Sequence, residues 1–431
     1  MTFNIFTLGC KVNTYESNVI IDLLINNGYK EVSNKEVSDI TVINTCTVTN
    51  TADSKSLKTI KHAINEFHNI VIVIGCFAQI GVDIISKIEG VSIILGNKNK
   101  TMITKCLDNY LINKKQIILI DDVNHKPFEN MLLNNFNKTR AFVKIQDGCN
   151  NFCSYCIIPY VRGTVCSRNK EDILEEIKSL VNSNHKEIVL VGIHTGHYGS
   201  ELKNYNFASL LTDILKINGI KRLRISSIEM NEITDEIIDI IKNNDVLVDH
   251  MHIPLQSGSN EILKSMNRKY LKEDFILKIE KLRSIKPDIS ITTDVIVGFP
   301  SETEDLFNET IETIKTIKFS KIHVFPYSKR IGTKASLMDN QIDEVTKHKR
   351  TKKLIEISNK LETDYMNKFI NKKIYFLPET FKEGYLIGHT GNYLLVKAKG
   401  DSYLLNKNVP VLIESVEYPY CLGRIEGDIN A

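Results

Sequence analysis

The sequence predicts an α/β protein in three parts: an N-terminal parallel-sheet α/β domain, a central partial (β/α)6 barrel and a small C-terminal antiparallel β-barrel. Three observations predict it. Short apolar runs alternate with helix-like segments through the first third, the alternation resumes as six units in the middle, and the final stretch breaks into short β-like pieces. A length of 431 residues accommodates about three domains of ordinary size. The expected boundaries are 1–112, 135–365 and 368–431.

In the first part, residues 3–8 (FNIFTL), 40–44 (ITVIN) and 70–74 (IVIVI) are apolar runs bounded by Gly, Asn or Thr, as buried strands are. Helix-like segments follow at Thr14–Asn27, Thr51–Phe67 and Ala78–Ile88, so the pattern is βαβαβ and the sheet is expected to be parallel. Cys10, Cys46 and Cys76 each fall just past a strand end. The carboxyl ends of parallel strands share one edge, where ligands bind, so three cysteines distant in sequence can meet there. Three unrelated buried thiols are the alternative. Cys106 and Cys421 lack this placement and read as structural.

From Arg140 the middle gives a strand (AFVKIQ) and then strands at Glu187–Val191, Arg222–Ser226, His250–Leu255, Ile289–Val297 and Lys321–Phe325. Helical segments at Glu171–Asn182, Ile233–Lys242, Leu271–Ile285 and Glu304–Ile317 separate them. Six units are too few for a complete eight-stranded barrel, and an incomplete one has a lateral opening that would admit a macromolecule.

After the first barrel strand, Cys149, Cys153 and Cys156 stand in "DGCNNFCSYC" at a C-x-x-x-C-x-x-C spacing. Three thiolates on one loop suit a soft metal or a 4Fe-4S cluster with one iron left open, and S-adenosylmethionine is the expected occupant of that iron. Zinc patterns use pairs of ligands, and no second pair follows here. Polar residues gather at the strand ends, where barrel chemistry sits. Tyr155, Ser227, Glu229, Gln256 and Gly298 are the candidate contacts to S-adenosylmethionine, with Glu229 suited to the ribose hydroxyls. His194, His197, His250 and His252 read as hydrogen-bonded core or rim residues rather than ligands. Arg162 and Arg168 flank the loop and are candidates for S-adenosylmethionine's carboxylate, an RNA phosphate or a helix acid.

The segment Gln341–Ile370 is a long charged helix in pattern, and from Lys372 short β-like segments suit a small barrel. There Lys397 and Lys399, with Lys382, Lys407 and Arg424, interleave with Tyr385, Tyr393, Tyr403 and Tyr418, a pattern that suits phosphate contact and base stacking. The net charge of +3 permits an acidic partner without requiring one. The start lacks a signal-peptide pattern and no apolar run approaches the ~18 residues of a membrane span, so a cytoplasmic protein with reduced thiols and no membrane contact is expected. No heptad seam is visible, which favours a monomer.

With both cysteine sets in place, the chain resembles the radical-SAM methylthiotransferases from residue 3 to about residue 427. The motifs that carry the resemblance are "LGCKVNTYES" at Leu8–Ser17, "NTCTVTNTADSKS" at Asn44–Ser56, "GCFAQ" at Gly75–Gln79 and "KIQDGCNNFCSYCIIPYVRG" at Lys144–Gly163. "HVFPYSKRIGT" from His323 and "GYLIGHTGNY" from Gly384 agree with the branch that acts on threonylcarbamoyladenosine. The resemblance implies a radical-SAM barrel, a C-terminal TRAM domain and a tRNA substrate bearing N6-threonylcarbamoyladenosine, converted to its 2-methylthio form. It also implies two 4Fe-4S clusters: one on Cys149, Cys153 and Cys156 that binds S-adenosylmethionine, and an auxiliary one on Cys10, Cys46 and Cys76. A 5′-deoxyadenosyl radical would take hydrogen from carbon 2 of the adenine, sulfur from the auxiliary site would capture that carbon, and a second S-adenosylmethionine would supply the methyl group. An external electron donor and a sulfur donor are needed. Cys166, where relatives tend to have Arg, belongs to neither cluster. Two other readings remain open: the same chemistry on isopentenyladenosine tRNA or a ribosomal protein, and a non-catalytic zinc-stabilised RNA-binding protein.

Overall fold

A computed structural model of the protein describes residues 1–67, 69–124, 127–133, 136 and 138–426. The expected start of the central domain at residue 135, and residues 427–431 of the expected last domain, lie outside the described residues.

The N-terminal sheet is parallel throughout, in the order Lys30–Glu31, Thr2–Thr7, Ile40–Thr45, Ile70–Gly75, Val91–Leu95 and Ile117–Leu119. Every residue of Ile40–Thr45 is buried, because helices cover both faces of the sheet. One face packs Phe3, Ile20, Leu24 and Leu107, and the other Ile60, Val71, Val73 and Phe77. The sequence reading located three of these six strands. The helix expected over Ala78–Ile88 is two short ones, Cys76–Ile80 and Val82–Ile85, separated where the Gly81 N–H closes onto the Phe77 carbonyl at 2.8 Å.

The central part carries six parallel strands, Arg140–Lys144, Glu187–Val191, Arg222–Ile225, His250–His252, Ser290–Val297 and Lys321–Pro326, as two three-stranded sheets linked through a bridge between Leu223 and Leu247. The first and sixth do not pair, so the barrel is open on one side. Three helices of the central part escaped the sequence reading: Phe207–Leu215, apolar nearly throughout, and the short Ile158–Arg162 and Asn260–Ser265. Val12, Tyr15 and Val19 of the helix Lys11–Asn26 belong to the same apolar core as the barrel strands. The first two parts therefore share one interior. The long helix Glu344–Asn367 crosses the sixth strand, with Leu354 in that core and Ser358 Oγ accepting the Ile322 N–H at 3.0 Å.

The last part is a closed five-stranded barrel, Lys373–Lys382, Tyr385–Thr390, Leu395–Lys399, Tyr420–Ile425 and Val409–Glu417 in spatial order, around Phe376, Leu386, Val396, Val411 and Cys421. It seats on the amino ends of the central strands. Arg222 donates to the carbonyls of His389 and Tyr375 at 3.0 Å each, and Arg140 to Glu379 at 3.1 Å and the Tyr393 hydroxyl at 3.2 Å. The Tyr393 ring stacks on His250 and His389, with ring centres 4.6 and 4.7 Å away. Tyr393 is thus an interface residue, unavailable for the base stacking its spacing suggested.

Candidate active site

The loop after the first central strand is held in shape by its neighbours. Gly148 has φ of +72°, and a Cβ there would lie 1.9 Å from the Thr164 carbonyl oxygen, so glycine alone allows the turn into Cys149. Gln146 donates to the carbonyls of Asp147 and Gly148 at 2.6 and 2.7 Å, and its Oε1 accepts the His194 N–H at 2.8 Å. Ser154 is fixed to the Asn260–Ser265 helix end by its N–H to the Met266 carbonyl and its hydroxyl to that of Ser265.

Donors face the loop sulfurs. His194 Nδ1 is 3.5 Å from Cys149 Sγ and Arg268 Nη1 is 3.4 Å from Cys153 Sγ. His194 and His197 stack with ring centres 3.9 Å apart and both meet the Glu232 carboxylate. Burial opposes a charge on His194, but its contacts with Cys149 and Glu232 outweigh that and push it up to about 10. A cavity of about 320 Å³ opens beside the loop, lined by Asn151, Cys153, His197, Glu229, Arg268 and Tyr270 among others.

Cys10, Cys46 and Cys76 converge at the carboxyl edge of the N-terminal sheet. A Cβ on Gly9, which has φ of +97°, would fall 2.8 Å from Cys46 Sγ. Asn13 Nδ2 donates to the carbonyls of Leu8 and Thr45 at 2.7 and 3.0 Å, tying the first two cysteine turns together. Cys76 Sγ accepts from Arg162 Nε at 3.3 Å and lies 3.7 Å from Asn97 Nδ2. The two trios adjoin: Cys76 packs against Ile157, the residue after Cys156, and against Val161.

The donor sets fit clusters better than single ions. Each trio offers three thiols and no second pair of cysteines, the soft-donor set that suits a 4Fe-4S cluster with one iron left open. Burial pushes the Cys46 thiol up to about 11 and Cys156 up to about 12, so both stay protonated until a metal displaces the proton.

The other expected site residues fall as follows. Tyr155 packs against the apolar cluster of Ile262, Met266, Phe299 and Tyr327. Ser227 and Gln256 are half-buried at strand ends, and Gln256 has φ of +64° with its N–H on the Asp294 carbonyl. Gly298 donates its N–H to the Glu302 carboxylate at 2.6 Å. Glu229 is half-buried at the cavity, ion-paired to Arg268. His250 and His252 both share hydrogen bonds with Thr292 Oγ1, as rim residues do.

Two expectations need correction. Arg162 and Arg168 are each 1% exposed and so do not face an RNA phosphate. Arg168 pairs with Glu176 at 2.7 Å and the Tyr15 hydroxyl, while Arg162 pairs with Glu16 and Asp147. On the small barrel, Lys399 is exposed and Lys397 lies over the Tyr385 ring at 4.5 Å. Tyr385, Tyr403 and Tyr418 are exposed. The sequence reading gave no role to Arg268, Glu232, Glu16, Lys100, Lys144 or Asp147; of these Glu16, Lys144 and Asp147 carried a positional signal, since each lies inside a cysteine motif.

This fold and this loop define a radical SAM protein: residues 143–314 match the Radical SAM superfamily, and residues 2–96 match Uncharacterized protein family UPF0004. The architecture is similar to a solved radical S-adenosylmethionine methyltransferase, TsrM, from Kitasatospora setae, with a TM-score of 0.54, 12% identity and coverage of 75% of this chain and 72% of that one. The chain is 43% identical over 427 residues to the threonylcarbamoyladenosine tRNA methylthiotransferase MtaB of Bacillus subtilis (strain 168), covering 97% of this chain and 95% of that protein. It is 38% identical to the tRNA-2-methylthio-N(6)-dimethylallyladenosine synthase of Clostridium tetani, covering 96% and 93%, and 36% identical to MtaB of Aquifex aeolicus, covering 91% and 96%. The chain belongs to the radical SAM methylthiotransferase family, and its cofactors are S-adenosylmethionine and 4Fe-4S clusters.

Proposed function

We propose that the protein converts N6-threonylcarbamoyladenosine beside the anticodon of tRNA to its 2-methylthio derivative. The observation that carries this reading is the meeting of two cysteine trios, from separate parallel sheets, across Cys76, Ile157 and Val161. One trio serves an ordinary radical SAM site, and a second beside it suits a sulfur donor. The 43% identity with the Bacillus subtilis relative supports the threonylcarbamoyl substrate over the dimethylallyl one.

In this reading Cys149, Cys153 and Cys156 hold the cluster that binds S-adenosylmethionine, and Cys10, Cys46 and Cys76 hold the auxiliary cluster. The bound groups supply a carbon-centred radical from S-adenosylmethionine, a sulfur atom and a methyl group. The chain's own residues orient and exclude. The cavity beside Cys153 receives S-adenosylmethionine, with Glu229 placed for its ribose hydroxyls and the half-buried Tyr155 ring packed beside the loop. The open side of the barrel admits the tRNA, and Lys397, Lys399 and the exposed tyrosines of the small barrel hold it. Three units, 1–112, 135–365 and 368–431, divide these tasks in a cytoplasmic monomer supplied by an external electron donor and a sulfur donor.

The test is twofold. Anaerobically reconstituted protein is expected to hold about eight irons per chain, falling to about four when Cys149, Cys153 and Cys156 are all Ala. Transfer RNA from a deletion strain is expected to lack 2-methylthio-threonylcarbamoyladenosine and to regain it on complementation. Persistence of that nucleoside, with loss of the isopentenyl counterpart, moves the substrate assignment to the other tRNA.

A further inference from the structure

Arg162 ends the helix Ile158–Arg162 that leaves the cysteine loop, and its guanidinium is spent entirely inside the protein. Nε donates to Cys76 Sγ at 3.3 Å, Nη1 to Glu16 at 2.9 Å and to Asp147 at 3.2 Å, and Nη2 to Asn13 at 2.8 Å and Glu16 at 3.2 Å. Each of the three guanidinium nitrogens has a partner inside the protein, with Nη1 shared between both Asp147 oxygens and Glu16, so the donor capacity of the side chain is taken up. Lys100 and Lys144 join the same carboxylates: Lys100 Nζ is 2.5 Å from Glu16, and Lys144 Nζ is 2.8 Å from Glu16 and 2.6 Å from Asp147.

This hydrogen-bonded set holds three cations, Arg162, Lys100 and Lys144, against two carboxylates, Glu16 and Asp147. Lys98 and Glu129, of opposite sign, border it and leave the balance unchanged. A buried surplus of positive charge is costly unless an anion faces it. Of the two other acceptors in contact with Arg162, the Asn13 amide oxygen is neutral, and the sulfur of Cys76 is the one that can carry negative charge. A thiolate bound to a cluster supplies the missing negative charge, whereas a neutral thiol does not. The same guanidinium also binds Asp147, whose N–H-accepting carboxylate fixes Gly148 at 2.9 Å, one residue before Cys149.

We infer that Arg162 is a positioning residue that joins the two cysteine trios and raises the reduction potential of the cluster on Cys10, Cys46 and Cys76. The inference rests on the auxiliary-cluster reading proposed above. Hydrogen bonds to a ligand sulfur and nearby positive charge both favour the more reduced cluster, and Arg162 provides both at Cys76. Asn97 Nδ2, held to the Val161 carbonyl at 3.0 Å, provides a weaker second donor to the same sulfur.

The experiment uses the full chain, anaerobically reconstituted, with Cys149, Cys153 and Cys156 all changed to Ala so that only the auxiliary cluster contributes. Its reduction potential is followed by a redox titration monitored by paramagnetic resonance. Arg162→Gln is expected to keep about four irons and to shift the potential lower. Arg162→Lys, which retains the charge and loses the fork, is expected to shift it in the same direction by less. Asn97→Ala leaves the ion cluster whole and takes one donor from the sulfur; it is expected to produce a small shift of the same sign, which keeps the inference testable should Arg162→Gln not fold. Potentials equal to the parent in Arg162→Lys and Asn97→Ala, with iron retained, overturn the inference alone. Absence of iron in the parent, where Arg162 is native, overturns the auxiliary-cluster reading itself.

Discussion

Glu229 already has a partner before any cofactor arrives. Arg268 pairs with it through Nη2, reaches Cys153 with Nη1 and touches the Tyr270 hydroxyl through Nε. Arg268 therefore holds the Glu229 carboxylate at the edge of the cavity that adjoins the cysteine loop, and a ribose would share an oriented carboxylate. A hydrogen bond to a charged group contributes about 1.5–3 kcal/mol, so Glu229→Gln is expected to weaken S-adenosylmethionine binding about ten- to a hundredfold. Equilibrium dialysis on reconstituted protein measures this, with iron content expected to stay at the wild-type value; an unchanged affinity removes Glu229 from the ribose contact. Position just past a strand end made Glu229's place beside the cavity legible in the sequence, because barrel sites sit there. Arg268 was not legible, since it lies in the turn after a short helix and reaches Glu229 only through the fold. Pairing of Arg162 and Arg168 with helix acids was one of the readings the sequence offered, and Glu16 and Glu176 are those acids; the burial of Arg162 was illegible, because Glu16 stands on a helix of the N-terminal part and spacing along the chain does not reveal a shared interior.

At the scale of elements, the amino ends of the central strands form a charged platform under the small barrel. Glu187 is fully buried and pairs with Arg224 at 2.6 Å and Arg222 at 3.6 Å. Burial alone would raise its carboxyl, but Arg224, Arg140 and Arg222 reverse that and hold it below the usual range. A depressed folded-state value makes the contribution to stability complete above the unfolded carboxylate value of about 4.3 and lost as the pH falls through the lower folded value. Glu187→Gln is expected to cost about 3 kcal/mol at pH 7, because it leaves buried arginines uncompensated. Below pH ~4.3 the wild type is expected to lose stability more steeply than the variant. Urea midpoints collected from pH 7 downward test both; parallel curves would show that Glu187 is not the group whose charge holds the platform. Strand periodicity made the platform's strands readable, while its role as a seat for another barrel was not, since many of the acceptors on the other side are backbone carbonyls, of His389, Tyr375 and Thr390, and the side chains of Glu379, Tyr393 and Asn408 lie more than 150 residues away in sequence. Backbone groups leave no mark in side-chain pattern.

On the scale of the whole molecule, the cysteine loop and the small barrel lie at opposite ends of one set of strands, so the proposed function separates chemistry from grip. The cysteine loop follows the carboxyl ends and the small barrel seats on the amino ends, so a substrate touching both must run along the barrel, where its first and sixth strands leave it open. That geometry fits an elongated polyanion better than a free nucleoside. Affinity should then come from phosphate contacts far from the reacting base, and such contacts declare themselves by salt dependence. Each phosphate contact neutralised adds about 0.7–0.9 to the slope of log affinity against log salt. Changing Lys397 and Lys399 together to Glu is expected to weaken tRNA binding at low salt and to flatten that slope by roughly 1.4–1.8. Binding of S-adenosylmethionine and iron content should not move, since both lysines stand on the small barrel at the end of the strands remote from the cysteine loop. Filter binding at several salt concentrations reads the slope directly. A double variant with the wild-type slope would place the tRNA on another face, whereas a flattened slope with unaltered S-adenosylmethionine affinity would separate holding the RNA from reacting with it.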